Sequence, residues 1–402
     1  MKKFAIILLA LGLVAAFTLP AMAEIKPYGS MRLGIFWENH DYDNNAYNPG
    51  WTNDNDDSGI MMDISDISRF GAKGTVGEIF GHIELGLIGQ ENATGYTAAM
   101  DNLEVYTRLI YGTWDFGGGT LTVGQDYTPI TFISNQEGPG IFDDNNVQSY
   151  DLQNAFIGVG CLWDSRVPQI RLNLDNGLYV MIAQPDDPEP AGAGRTAGGD
   201  RDANLPKMMV GYDYKAEGLF ISPGLAYQTI DYNDKAVGGS FDDDITAWIA
   251  FVKATLDLGA VNFKLAAHYG ENLANYAISG RTNPYNGGVN AAAAYVKPDY
   301  SVEDAECWGG FIQAAFPIDP YTLRLGWGYS SSQVDNIGDP DGDGLNNTNE
   351  DELMGFFVNL KIPITDNFSA TPEFDYWDGM KNEENQDDPD HWYLGILWQM
   401  DF

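Results

Sequence analysis

Apolar side chains return at every second position through most of this chain. In the final segment Trp392, Leu394, Ile396, Trp398, Met400 and Phe402 alternate with His391, Tyr393, Gly395, Gln399 and Asp401, which are mostly polar or small. A pleated strand sends successive side chains to opposite faces, so such a run has one apolar and one polar face. The stripe recurs at Val261, Phe263, Leu265, Ala267 and Tyr269, at Leu323, Leu325, Trp327 and Tyr329, and at Met354, Phe356, Val358, Leu360 and Ile362. A period-two stripe of bilayer height with aromatics at its ends is what a lipid-facing strand requires.

This periodicity predicts sixteen strands, near 25–37, 60–75, 79–90, 103–114, 119–128, 166–174, 178–184, 206–214, 219–232, 245–258, 261–272, 306–317, 321–331, 352–362, 367–377 and 391–402. The 60–67 stretch alternates poorly, which predicts either a bulge or a shifted strand boundary there. Tight turns such as Asp175-Asn176-Gly177 and Lys215-Ala216-Glu217-Gly218 carry the residues that hairpins need. Between them lie long connections dense in Asp, Asn, Gly and Pro, the longest running from Ile130 to Ser165. A soluble propeller or sandwich also alternates, but neither explains long and tight connections taking strict turns. The predicted fold is all-β, a 16-stranded antiparallel transmembrane barrel with short turns at one end and long loops at the other.

Both chain ends fit that picture. Lys2 and Lys3, the apolar run Phe4 to Phe17 and the small-residue site Ala21-Met22-Ala23 predict a secretory signal over 1–23 and a mature barrel over 24–402. Beyond it no segment reaches the roughly 18 consecutive apolar residues of a membrane helix. Strands of a closed barrel are the remaining way to cross lipid with every backbone group paired.

Charge then narrows the function. The chain holds 58 Asp and Glu against 21 Lys and Arg, a net charge of −37, which excludes nucleic acid as a partner. Acidity alone can mean disorder, but 22 Tyr, 20 Phe and 10 Trp mark a chain that packs. The four histidines (His40, His82, His268 and His391) show no triad or zinc spacing, and no nucleotide-binding glycine motif is present, so no catalytic site is expected.

Particular motifs sharpen the class. Ser68-Arg69-Phe70-Gly71-Ala72-Lys73-Gly74 followed by Gly81-His82-Ile83-Glu84-Leu85 resembles the second hairpin of Gram-negative general porins. Arg108-Leu109-Ile110-Tyr111-Gly112 and Leu121-Thr122-Val123-Gly124-Gln125-Asp126-Tyr127-Thr128-Pro129 resemble that family's strands leading into its third loop. The terminal Phe402 resembles the assembly signal of outer-membrane barrels. Nearest among these are the acidic porins of sulfate-reducing bacteria. The resemblance implies an outer-membrane homotrimer that needs no cofactor, with an inward-folded third loop whose acids face a basic wall. Gln125 departs from the family, which commonly has Arg there.

Parity places Arg32, Arg69, Lys73, Arg108, Arg171, Lys264, Arg324 and Lys361 inward, where a charge avoids the few kcal/mol cost of facing lipid. Of these, Arg32, Arg69 and Arg108 match the family's basic wall. The long loop offers Glu137, Asp143 and Asp144 as the acidic side of a constriction. Alternatively the arginines only pair with Glu84, Glu104 or Asp126 to satisfy a polar interior. The expected function is a diffusion channel for small hydrophilic solutes and ions, preferring cations because the chain is so acidic. A substrate-specific channel, or a barrel anchoring an adhesive or calcium-binding surface, stands as the alternative.

Two further features stay open. Asp339, Asp341, Asp343, Leu345 and Glu350 stand at positions one, three, five, seven and twelve of a calcium-loop pattern, with Gly344 at position six. Calcium there would stiffen an external loop near lipopolysaccharide, while an ordinary acidic surface turn reads the same way. Cys161 and Cys307 either pair in an oxidising compartment or stay as small buried residues.

Overall fold

The computed structural model describes residues 24–41, 57–65, 67–89, 103–138, 158–187, 200–234, 241–276, 282–283, 289–290, 292–297, 301–335, 349–380 and 390–402. The expected signal segment, Asp143, Asp144, Asp339, Asp341, Asp343 and Leu345 lie outside these residues.

The staves run in chain order. β1 is Glu24–Asp41, β2 joins Asp57–Ile64 to Arg69–Val76, β3 is Ile79–Gly89, β4 Leu103–Asp115, β5 Gly119–Tyr127, β6 Arg166–Leu174 and β7 Leu178–Ala183. β8 is built from Asp200–Asp202, Lys207–Tyr212 and Tyr214–Ala216. Then follow β9 Leu219–Asp234, β10 Phe241–Asp257, β11 Asn262–Glu271, β12 Ala305–Ile318, β13 Tyr321–Val334, β14 Asn349–Thr365, β15 Phe368–Asp378 and β16 Asp390–Asp401. Each stave pairs antiparallel with the next, and β16 returns to β1 from Ser30↔Asp401 to Asp41↔Asp390. The result is a closed 16-stranded antiparallel barrel with no free edge. The seam continues past the ladder, where Gly29 and Phe402 exchange backbone hydrogen bonds of 2.7 and 3.0 Å.

The apolar stripes face outward. Trp308, Ile312, Leu325, Trp327, Phe356 and Leu394 are exposed on the outer wall, while Tyr393, Leu397, Phe357 and Phe311 are buried on the inner face. The tight turns form as their residues require. Gly177, for example, takes φ of +98° after Asn176, a conformation that costs glycine nothing.

The sequence-derived strands fall within a few residues of these staves, with two informative departures. β2 breaks where the alternation fails: the chain between Ile64 and Arg69 bulges opposite Met31 and Arg32, since Leu33 pairs with Ile64 and Ser30 with Arg69. Ser65 N–H donates to the Arg32 carbonyl at 3.0 Å, and Arg32 N–H donates to the Ser68 hydroxyl at 3.0 Å, so the bulge keeps its backbone satisfied. The strand expected at 206–214 forms as Lys207–Tyr212, and short pieces at Asp200–Asp202 and Tyr214–Ala216 extend the stave on either side.

Inside, the core consists of loop against wall. The connection between β5 and β6 turns into the barrel, and Ile130, Cys161 and Leu162 join Phe311, Ile249, Phe251 and Met181 of the inner wall in one apolar cluster. A second cluster sets Val159 of that loop against Phe36, Leu353, Trp377, Tyr393 and Leu397. A third, beyond β11, seats Ala294 and Val296 on Tyr232 and Ile245.

Candidate functional site in the bore of the barrel

The connection from β5 to β6, termed loop 3, is described at 128–138 and 158–165. Its two limbs are held to each other by a bridge between Phe132 and Leu162, with N–H to carbonyl distances of 2.7 and 3.1 Å. The returning limb lies in a seat made of glycine. A Cβ on Gly328 would meet the Val159 carbonyl oxygen at 1.9 Å, and one on Gly160 would meet the Gly310 carbonyl oxygen at 2.0 Å. Gly160 also takes φ of +70°, so both space and backbone demand glycine there. Gly160→Ala should lift the limb off the wall, with strain of about 1–3 kcal/mol before the clash is counted. Raised open-channel current noise in bilayer recordings is the expected signature, and wild-type noise would refute it.

The outgoing limb of the loop is tied to the far wall by the Glu373 carboxyl group. Glu137 N–H donates to both Glu373 oxygens, at 2.7 and 2.8 Å, and Gly138 N–H and the Asn359 amide donate to Glu373 as well. Asn359 also donates to the Asn135 carbonyl at 2.8 Å. Gln313 accepts from Asn135 N–H at 2.6 Å and donates to its side chain at 2.9 Å. Beside Glu373 lies Asp375, fully buried at 0% exposure, its oxygens without a donor among the described residues. The two acids crowd Gly138, whose absent Cβ would lie 2.2 Å from Asp375 Oδ2 and 2.9 Å from Glu373 Oε1.

The base of the loop is tied by an ion pair. Lys207 of β8 donates to Asp164 at 2.6 Å, and both side chains are buried. Burial pushes the Asp164 carboxyl up to about 6, and the Lys207 ammonium beside it restrains the rise.

The charged residues singled out from the sequence gather in two groups. Glu137 does not stand alone across an open gap: it meets Arg324 at 3.2 Å and Arg32 at 3.8 Å. On the wall of β1 to β6, Glu84 meets Arg108 at 2.8 Å and Arg69 at 3.4 Å and accepts from Tyr28 at 2.6 Å. Arg108 further donates to Tyr106 and Tyr127 at 3.0 and 2.8 Å. Asp126 pairs with Arg171 at 2.9 Å. Lys73 sits 4.9 Å from the Tyr28 ring. Arg166, which the sequence did not single out, stacks on Tyr106, Tyr127 and Trp163 at 5.5–5.7 Å.

A bulge explains how Arg108 reaches in. Glu84 pairs with Leu109 and Leu85 with Thr107, leaving Arg108 as the extra residue, re-aimed into the bore. Gln125, standing where an arginine was expected by resemblance, donates to the Thr107 and Arg108 carbonyls at 3.0 and 3.1 Å and so satisfies this bulge.

The remaining candidates resolve differently. Glu104 lies on β4, but its side chain is outside the described set. Glu350 pairs with Gln333 near the start of β14. Cys161 and Cys307 are buried thiols in the same apolar cluster and are not joined in a disulfide. Burial pushes the Cys161 thiol up, and it accepts a hydrogen bond from Ser134 N–H at 3.2 Å. Glu373, Asp375, Asn359, Gln313 and the Lys207–Asp164 pair were missed by sequence reasoning. The available signal for the acids was parity, since Glu373 and Asp375 alternate with the outward Phe374 and Tyr376.

Loop 3 thus enters the bore, where Arg32, Arg69, Arg108, Arg171 and Arg324 stand in contacting acid–base pairs with Glu137, Glu84 and Asp126. Residues 10–359 match the Gram-negative porin family. No curated protein matches the chain. The fold resembles the outer membrane channel DcaP of Acinetobacter baumannii, with TM-score 0.61 and 15% identity over 96% of this chain and 99% of that one. It also resembles OmpT, an outer membrane protein of Vibrio cholerae, with TM-score 0.50 and 11% identity over 95% of this chain and 99% of that one. With its outward apolar band, closed barrel and family match over most of its 402 residues, the chain belongs to the Gram-negative porin family and is an integral β-barrel of the outer membrane.

Proposed function

We propose that the chain is a passive diffusion channel for small hydrophilic solutes and ions, working as a homotrimer without cofactor or energy source. The inward fold of loop 3 carries this reading: one side of the loop packs on apolar wall residues, while Glu137 is held among the arginines of a charged lining. Arg32, Arg69, Arg108, Arg171 and Arg324 stand among Glu84, Asp126 and Glu137, so a solute crossing the narrow zone exchanges water for fixed charges of both signs. The chain's surplus of acids, 58 against 21 bases, supports a mouth that concentrates cations, hence an overall cation preference. That acidity also supports the likeness to acidic porins. Asp143 and Asp144 would extend the acidic side of the constriction.

Refolded protein in a planar bilayer under a KCl gradient tests this. A large conductance that closes in three equal steps, with a reversal potential of cation sign, is expected. A silent membrane after verified insertion would remove the channel reading, and single-step closure would remove the trimer.

A further inference from the structure

The opposite wall of the bore, on β10 to β12, carries positive charge that the constriction does not use. Lys253 pairs in register with Ala266, and Lys264 with Thr255, so the lysines are diagonal neighbours on the inner face of β10 and β11. Both reach one aromatic ring: the Phe132 centroid of loop 3 lies 5.8 Å from Lys253 Nζ and 4.7 Å from Lys264 Nζ. Lys253 also donates to the Pro129 carbonyl. Neither lysine forms an ion pair among the described residues, although Glu137, Asp126, Glu84 and Asp164 all do with other bases.

Two ammonium groups held against a loop, with a ring face, one carbonyl and the more distant charge of Asp213 near Lys253 for company, are poorly compensated. An anion is the missing partner. Space for one adjoins Lys264. A recess of about 620 Å³ lies beneath loop 3 at the short-turn end of the barrel, lined by Lys264, Lys215, Asn135, Gln313, Phe220 and the acidic Asp257 among others.

We propose that Lys253 and Lys264 form an anion site beneath loop 3 that holds the carboxylate of a small hydroxylated solute, its polar body resting in the recess. The site deepens the channel reading, because it gives an acidic protein a place where carboxylated solutes pause in transit. The charge at the mouth and the charge beneath the loop then act in opposite senses: the first sets bulk ion preference, the second sets which solutes bind. Volume suits a molecule of about monosaccharide size.

Glucuronate and glucose differ in that one carboxylate and serve as the probes. Added at the short-turn side of the reconstituted full chain, glucuronate should interrupt the current in discrete blocks, and glucose should not. Lys264→Gln and Lys253→Gln should each weaken the block at least about tenfold, the loss of one charge-assisted hydrogen bond, while Lys264→Arg retains it. Equal blocking by glucose, or blocks unchanged in both glutamine variants, would overturn the proposal. Calorimetric titration of the detergent-folded protein with glucuronate tests the site independently of conduction. A silent bilayer with heat lost in Lys264→Gln sinks the channel reading but keeps the site. Conductance with no glucuronate heat does the reverse.

Discussion

Replacing Glu373 with alanine should free loop 3 at Glu137 and Gly138 and widen the channel. The Glu373 carboxyl group accepts from the backbone of Glu137 and Gly138 and from the Asn359 side chain. Hydrogen bonds of this kind contribute about 0.5–1.5 kcal/mol each, and all three donors converge on this one group. With the acceptor gone, Asn135 keeps only its contacts to Gln313 and Asn359, and the Arg324 and Arg32 pairs with Glu137 become the remaining tether. Those pairs follow the loop instead of fixing it. Liposome swelling should then show sugars of disaccharide size entering several times faster, with little change for the smallest solutes. Glu373→Gln, which keeps shape and one acceptor, should fall between. An unchanged size cut-off in Glu373→Ala would mean that this limb is held by its arginines alone.

The second large effect concerns the base of the same loop. Lys207→Met leaves Asp164 buried without its cation, which costs about 3–5 kcal/mol when one partner of a buried pair is removed. The cost falls on loop 3 and on β8, which is already broken into three short pieces. The temperature at which the folded band is lost on unheated-versus-heated gel electrophoresis should drop clearly. Lys207→Met combined with Asp164→Leu should recover most of it, because a well-packed apolar pair replaces a buried ion pair at little cost. A single variant as heat-resistant as wild type would show that Asp164 finds another donor or water.

Both predictions rest on contacts that the residue order hides. Glu137 and Glu373 are 236 positions apart, Asn135 and Asn359 224, Glu137 and Arg324 187. Nothing local in Gln136-Glu137-Gly138 announces a latch, and a pair of inward acids in Glu373-Phe374-Asp375 reads as ordinary lumen lining. Arg108 illustrates the same limit. Its inward direction was legible from parity, yet a one-residue bulge against Glu84 and Leu85 delivers it, and Gln125 stabilises that bulge from the next strand. Register defects shift parity by one, so sequence alternation alone cannot announce them.

What the sequence by itself determined is the barrel. Alternation is a property of the pleat, acting residue by residue, and the turn residues act over three or four positions, so strand number, inside and outside, and the ends bearing turns and loops were all legible. What the tertiary structure alone decided is the charge map of the bore. One expected picture set Glu137, Asp143 and Asp144 across from Arg32, Arg69 and Arg108; the other paired the arginines with Glu84, Glu104 or Asp126. In the fold, Glu137 lies between Arg32 and Arg324, Glu84 takes Arg69 and Arg108, and Lys253 and Lys264 stay together beneath the loop. Those partnerships depend on how far each strand slides past the next around a closed barrel and on the path of a loop through its interior. Each is a sum over many staves, and a charge pair forms only when that sum brings two side chains within a few ångströms.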